Sequence, residues 1–419
     1  PWLTVQFKEP LALYPLMAVG LITPFSVIVG AFRGAFQGVY KMEYILSTRA
    51  IEQVFMILVA TALVILGLSA TGAVLGSVTG FMASAALSIF IFKRYMWKYI
   101  PKPEIDYKFP IKEELNLAKK LIFFSIPVTV TALAEMGIYS ICTYIIGIFL
   151  TSTFNGYFAA ADPIARLPLV ISISVATVIL PASSEAFATK NKTLLERYVT
   201  LSYKYSLFFI IPMCIGIALF SHEIMALVYF LKPAYVLGAP SLAILVIGMS
   251  FYSLFAVSAS IVQGIGNPRI PMYILIIGSG ITFGLAWFFI QWWGIEGGAL
   301  ATTLATFIIM LPILWLTFKL TKTTVPYKPI GKIIAASAIM AIIIVLFIKI
   351  ALGTFIGYQS RIGLVVGIII CPIIYLISLI LLKFFTKEEI NQISSYSNKL
   401  GPLSGVLNKI LNIIGKYTK

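Results

Sequence analysis

Eleven stretches of this chain run for about 20 residues or more with hardly a charged side chain among them, and few folds accept that pattern. They cover residues 11–32, 45–66, 72–92, 121–150, 157–184, 204–231, 238–262, 271–293, 297–318, 329–351 and 362–383. A helix rising about 1.5 Å per residue crosses the hydrocarbon of a bilayer in about 20 residues, and in lipid it satisfies its own backbone hydrogen bonds. Each stretch is therefore predicted to be a membrane-spanning helix. Composition agrees, with 60% hydrophobic and only 11% charged residues against about 25% charged in a soluble domain. The fold class expected is an all-α polytopic membrane protein.

A net charge of +16 would suggest a nucleic-acid partner in a soluble protein, but here the distribution of charge is one-sided. Of 31 Lys and Arg, 26 fall in connections after odd-numbered stretches or in the C-terminal tail. The positive-inside rule places that side, and the C-terminus, in the cytoplasm of a cell-membrane protein. The basic balance thus describes topology and excludes DNA or RNA as the expected partner. In 403–416, "LSGVLNKILNIIGK", apolar residues recur at helical spacing with lysines between them. That pattern predicts an amphipathic helix lying on the cytoplasmic membrane surface.

The residues that carry catalysis elsewhere are sparse. Cys142, Cys214 and Cys371 each stand alone in an apolar run, and His222 is the single histidine, so neither a disulfide framework nor a metal site is expected. There is no G-x-x-x-x-G-K-[ST] phosphate loop for ATP, and no cofactor is implied. The outer connections 67–71, 151–156 and 294–296 are too short to carry the catalytic loop of a glycan polymerase or ligase, so the chain is not expected to be an enzyme.

Two short interruptions resemble one another: "AFQGVYKM" (35–42) and "IVQGIGNPRIP" (261–271). Setting Gln37-Gly38 on Gln263-Gly264 gives an offset of 226, at which Gly72-Ala73 falls on Gly298-Ala299 and Phe81 on Phe307. That offset spans six stretches, an even number, so the copies run parallel, related by an axis along the membrane normal. The second copy has three stretches ahead of its Gln-Gly and the first has none, and the chain begins at Pro1. The expectation is a two-lobed protein of fourteen spans, three of them upstream of Pro1. On that reading 1–97 holds the last three spans of an N-terminal lobe, and the charged stretch 98–120 is a cytoplasmic linker. Residues 121–320 form a six-span C-terminal lobe, 321–384 two additional spans, and 385–419 the amphipathic tail. The Gln-Gly turns themselves read as helix ends, with Arg33 and Arg269 marking the cytoplasmic boundary. The small residues of "GGALAT" (297–302) read as a packing face.

The stretches "RGAFQG" (33–38), "SIPVTVTALAE" (125–135), "NGYFAAADPIARLP" (155–168), "IVQGIGNPRIPM" (261–272) and "GIEGGALATTLA" (294–305) resemble the polysaccharide flippases. These are the lipid-linked oligosaccharide transporters of the multidrug/oligosaccharidyl-lipid/polysaccharide exporter superfamily. The resemblance runs from about residue 11 to 384 and implies the fourteen-span exporter fold, working by alternating access. It implies a polyprenyl-phosphate-linked glycan as substrate, membrane lipids as surroundings, and a monomer with glycan-assembly enzymes as candidate neighbours. Many relatives carry an Asp late in the span where this chain reads "YSICTY" (139–144), so a cation role for such an acid does not carry over. The alternative within the superfamily is a cation-coupled multidrug or metabolite antiporter, which would need paired intramembrane acids.

Charges inside spans are costly and normally face a cavity or a partner. Glu135 lies 14 residues into the 121–150 stretch, about 21 Å along it, and Asp162 and Arg166 enter the next stretch from outside. Guanidinium stays charged and offers planar, paired donors to phosphate oxygens, which suits a phosphate-linked lipid. Arg166, Glu135 and Asp162 are therefore the candidate substrate-binding residues. The plainer reading of Asp162 and Arg166 is an i, i+4 pair that neutralises itself. Glu52, about one turn into its stretch, reads as interfacial, and Pro24, Pro127, Pro163, Pro168 and Pro312 as sites where spans bend.

Overall fold

A computed structural model describes residues 13–97, 110–324, 327–347 and 361–385, and every element among them is helical. The chain divides into two compact units, residues 1–116 and 117–419. Among the described residues nine helices are long and apolar enough to cross a membrane, so the protein is a multi-pass membrane protein. The amphipathic segment 403–416 lies outside the described residues.

In the first unit, α1 (Leu13–Gly20) and α2 (Ile22–Gly38) form a bent pair, followed by α3 (Met42–Leu63) and α4 (Ser69–Ile91). Glycine spacing decides how α4 seats. Gly72, Gly76 and Gly80 recur every fourth residue, so they share one face of the helix. A Cβ on Gly76 would lie 2.5 Å from the Cβ of Ala60, and one on Gly80 would lie 2.7 Å from the carbonyl oxygen of Glu52. Small residues at this spacing let two backbones approach where no hydrophobic effect drives helices together in lipid.

The same unit gives Arg33 and Glu52, read as boundary and interfacial residues, to one another as partners. Arg33 Nη2 donates to Glu52 Oε2 at 2.6 Å and to Ser84 Oγ at 3.2 Å, while its Nε donates to Thr48 Oγ1 at 3.2 Å. Ser84 Oγ in turn donates to the Thr48 carbonyl at 3.1 Å. The pair is enclosed, at 17% and 11% side-chain exposure. It joins α2, α3 and α4, because partners 19 and 51 residues away come together only after the helices pack.

The helix α5 (Ile111–Phe149) starts in the last residues of the first unit and runs on into the second, and takes in residues 111–120 of the charged stretch assigned to the linker. Pro110 precedes it, and Glu113 and Glu114 in its first turn complement the positive end of the helix dipole. The stretch 157–184, read as one span, is instead two helices, α6 (Ser152–Ala165) and α7 (Leu167–Ala188), meeting at Arg166. Next come α8 (Lys192–Leu219), α9 (Ser221–Val228) and α10 (Ala239–Gly264). The unit continues with α11 (Arg269–Thr321), α12 (Tyr327–Phe347) and α13 (Arg361–Leu381).

Within the 53-residue α11, Gly294 at φ 58, ψ −135 reverses the chain, a conformation that side chains with a Cβ avoid. Gly278 and Ile309 consequently face each other across an antiparallel pair, matching the two stretches 271–293 and 297–318. Exposed Trp292 and Trp293 sit at that reversal, as aromatic residues do at a membrane–water boundary. The centre of the unit is α10, which packs against α6, α7, α8 and α11. It is apolar all round and carries Leu242, Leu245, Met249, Tyr252 and Phe255, each 2% exposed or less, so it is shielded from lipid by its neighbours. A second cluster joins α8, α12 and α13 through Leu207, Met340 and Tyr375.

Both Gln-Gly motifs end helices. After α10, Gly266 adopts φ 88, its N–H bonds Gln263 O at 3.0 Å and Asn267 N–H bonds Val262 O at 3.1 Å. After α2, Tyr40 adopts φ 59 with bonds to Gln37 O at 3.1 Å and from Lys41 to Phe36 O at 2.9 Å. These are two Schellman caps in the same register. Lys190 and Lys383 close α7 and α13 in the same way, so the motif is a helix end. Gly264 has a further reason to lack a side chain, since a Cβ there would lie 2.6 Å from Leu180 O of α7.

Candidate functional site

Proline chemistry places Arg166. Pro168 stands in the first turn of α7, where no N–H is needed, and Pro163 lies in the last turn of α6. Between them Arg166 takes φ −82, ψ −2, and the helix axis changes direction at its side chain. Its Nε donates to Asp162 Oδ1 at 3.0 Å and its Nη2 pairs with Oδ2, a two-pronged contact along one edge of the guanidinium. The guanidinium lies over the Tyr139 ring, with Cζ 4.1 Å from the centroid. At 33% and 21% side-chain exposure, Arg166 and Asp162 are half-buried, so the site is reachable.

Tyr139 belongs to α5, four residues and so about one turn beyond Glu135 on the same face. Its hydroxyl donates to Glu135 Oε1 at 2.9 Å. On its other side the Tyr139 ring meets Tyr252 of α10 edge to face, 5.4 Å between centroids and 72° between planes. Tyr252 also neighbours Glu135 and stacks on Phe255 at 5.5 Å. The structure thus brings Glu135, Asp162 and Arg166 into one constellation, linked through Tyr139.

Sequence reasoning passed over Tyr139 and Tyr252. The i, i+4 spacing of Glu135 and Tyr139 was available to find the first. No local signal marks the second, which comes from a helix more than 100 residues away. Beyond the site, Cys142 on α5 lies 3.3 Å from Gly298 O and 3.2 Å from Thr302 Oγ1, so the small-residue run 297–302 packs against α5. Among the described residues no group of three His, Cys, Asp or Glu could hold a metal ion.

An apolar cavity of about 390 Å³ opens in the same unit, walled by Ile171 of α7, Phe208 and Met213 of α8, Met340 of α12 and Tyr375 of α13. Ile171 lies five residues along α7 from Arg166, about 7.5 Å of helix rise. Ile171 also lies about 140° round the helix from Arg166, so the hollow and the arginine are on different faces; a multi-pass helical bundle with such an apolar hollow is the build of a membrane transporter.

Comparison with known proteins agrees with that class. The sequence model described as lipid II flippase MurJ matches residues 21–389, and the chain belongs to that family of membrane transporters, which are not enzymes. Among its relatives, the membrane protein MJ1375 of Methanocaldococcus jannaschii is 27% identical over 296 residues, covering 70% of this chain and 69% of that protein. The probable low-salt glycan biosynthesis flippase Agl15 of Haloferax volcanii is 26% identical over 55% of this chain, which spans only 48% of Agl15. A structure of lipid II flippase MurJ in an inward closed conformation superposes with a TM-score of 0.61 at 21% identity, covering 85% of this chain and 72% of that one. At that identity the likeness is one of fold.

Proposed function

We propose that this protein is a flippase that turns a polyprenyl-phosphate-linked oligosaccharide from the cytoplasmic to the outer leaflet by alternating access. The observation that carries the reading is Arg166: a half-buried guanidinium at a helix break in an apolar bundle, with one edge held by Asp162 and the Tyr139 ring 4.1 Å from its Cζ. Phosphate is the ligand such a cation suits. Glu135 and Asp162 hold the tyrosine and the arginine in place. The antiporter alternative needs acids turned toward one another for a cation, whereas here Asp162 faces Arg166 and Glu135 faces Tyr139.

In this reading the protein works as a two-lobed exporter with its C-terminus in the cytoplasm. The one-sided distribution of 26 of its 31 basic residues supports the orientation. The shared offset of 226 between Gln37-Gly38 and Gln263-Gly264 and between Gly72-Ala73 and Gly298-Ala299 supports the repeat. The working unit is a monomer, with glycan-assembly enzymes as neighbours.

The test is flipping of a polyprenyl-phosphate-linked oligosaccharide in reconstituted vesicles. Arg166→Lys keeps the charge and loses the fork, and is expected to slow flipping. Arg166→Ala removes charge-assisted bonds of about 1.5–3 kcal/mol each, and is expected to reduce flipping by about 10- to 150-fold. Should the double change Asp162→Ala with Arg166→Ala regain wild-type flipping, the two residues only neutralise one another and the assignment fails.

A further inference from the structure

We propose that Tyr139 is the positioning residue of this site: its ring sets the plane of the Arg166 guanidinium, so that the edge not taken by Asp162 is presented to the anionic group of the ligand. The inference rests on the reading of Arg166 as a phosphate-binding residue and deepens it.

An arginine side chain has several rotatable bonds, and a guanidinium delivers its paired donors only when both its position and its plane are held. Asp162 holds the position. Its carboxylate engages Nε and Nη2, and thereby uses two of the five N–H donors along one edge. Of the three remaining N–H groups, one on Nη1 and one on Nη2 lie side by side and form the second edge, the geometry that meets two oxygens of a phosphate. A contact along one edge still leaves the guanidinium free to tilt about that edge. The ring of Tyr139, 4.1 Å from Cζ, removes that freedom and adds the attraction between a cation and a π face.

The ring is itself clamped. Its hydroxyl is tied to Glu135 at 2.9 Å and its flank to Tyr252 at 5.4 Å, and Tyr252 is 2% exposed within the core of α10. Rigidity therefore passes from the buried centre of the unit through Tyr252 and Tyr139 to Arg166. Glu135 serves the site through this tie, as the acceptor that fixes the rotation of the Tyr139 ring.

The experiment measures binding of two probes to the full chain in lipid nanodiscs: farnesyl phosphate and its uncharged counterpart farnesol. The quantity read is the preference for the phosphate, the ratio of the two dissociation constants, which general loosening of the fold leaves unchanged. Tyr139→Phe and Tyr139→Trp keep a π face but lose the tie to Glu135, and are expected to lower the preference by about 2- to 3-fold, less than a side chain with no ring. Tyr139→Met fills similar space without one, and is expected to lower the preference by about 5- to 30-fold. Arg166→Ala should abolish the preference.

Each other outcome overturns a distinct statement. If Arg166→Ala keeps the preference, the phosphate reading of Arg166 fails and this inference falls with it. If Arg166→Ala loses the preference while Tyr139→Met keeps it, the phosphate site stands and the role given to Tyr139 is wrong. If Tyr139→Met weakens both probes equally, or if Tyr139→Phe loses as much preference as Tyr139→Met, the ring does not orient the guanidinium and the inference is likewise overturned. Should Tyr139→Met fail to fold, Tyr139→Leu takes its place with the same expectations.

Discussion

Replacing Glu52 by Leu leaves Arg33 in its enclosure without its counter-charge, and the structure sets the size of the effect. Arg33 and Glu52 are 17% and 11% exposed and 2.6 Å apart, and Thr48 and Ser84 complete the set of partners. An exposed interfacial pair contributes at most about 1 kcal/mol, because water and salt screen it. Removing one member of an enclosed pair costs about 3–5 kcal/mol, most of it the penalty of an uncompensated charge. With residual exposure on both side chains, the lower end applies, about 3 kcal/mol for Glu52→Leu or Arg33→Met alone. The double variant removes both charges and leaves α2, α3 and α4 in apolar contact, so it should lie within about 1 kcal/mol of the wild type. The coupling in this cycle is therefore about 5 kcal/mol, far beyond the ~0.5 kcal/mol by which independent sites depart from additivity. Equilibrium unfolding of the purified protein in mixed micelles measures all four corners. Single changes costing less than about 1 kcal/mol, or a double variant equal to the sum of the singles, would refute the enclosed-pair argument.

Two further outcomes follow from the packing and the charge distribution. Gly76→Ala puts a methyl group 2.5 Å from the Cβ of Ala60 and is expected to cost about 1–3 kcal/mol in the same unfolding assay. Gly34→Ala on α2 meets nothing within 4 Å and should be neutral or stabilising by up to about 1 kcal/mol; equal effects at the two sites would contradict the close approach of α3 and α4. In a variant lacking Cys142, Cys214 and Cys371, a cysteine replacing Lys190 should react with an impermeant maleimide only from the cytoplasmic side, and one replacing Lys232 only from outside. Reaction of the first from outside in intact cells would reverse the orientation.

Local pattern carried far for the helices and less far for their joints. Length and apolarity located most of the long helices because a bilayer imposes one thickness on every segment, and the reversal at Gly294 falls between two stretches separated on sequence alone, whereas the stretch 204–231 runs across the end of α8 at Leu219 into the separate α9. The break at Arg166 escaped, although Pro163 and Pro168 were noted as bends. An apolar run records that lipid or protein surrounds a segment, and does not record its direction. The start of α5 at Ile111 escaped for the opposite reason, since charges that mark a connection in a hydropathy reading serve equally well in the first turns of a helix that extends beyond the membrane.

The sequence by itself determined that this chain lives in a membrane, and that Arg166, Asp162 and Glu135 are costly enough in such apolar stretches to demand partners. Those conclusions need only the energetics of transferring side chains and peptide groups into hydrocarbon, which each residue carries independently of its neighbours. The tertiary structure alone decided what the partners are: Glu52 and Ser84 for Arg33, and Tyr139 and Tyr252 as the link between Glu135 and Arg166. A hydrogen bond or a cation over a ring is satisfied within about 3–6 Å, and only helix packing brings side chains from distant segments within that reach.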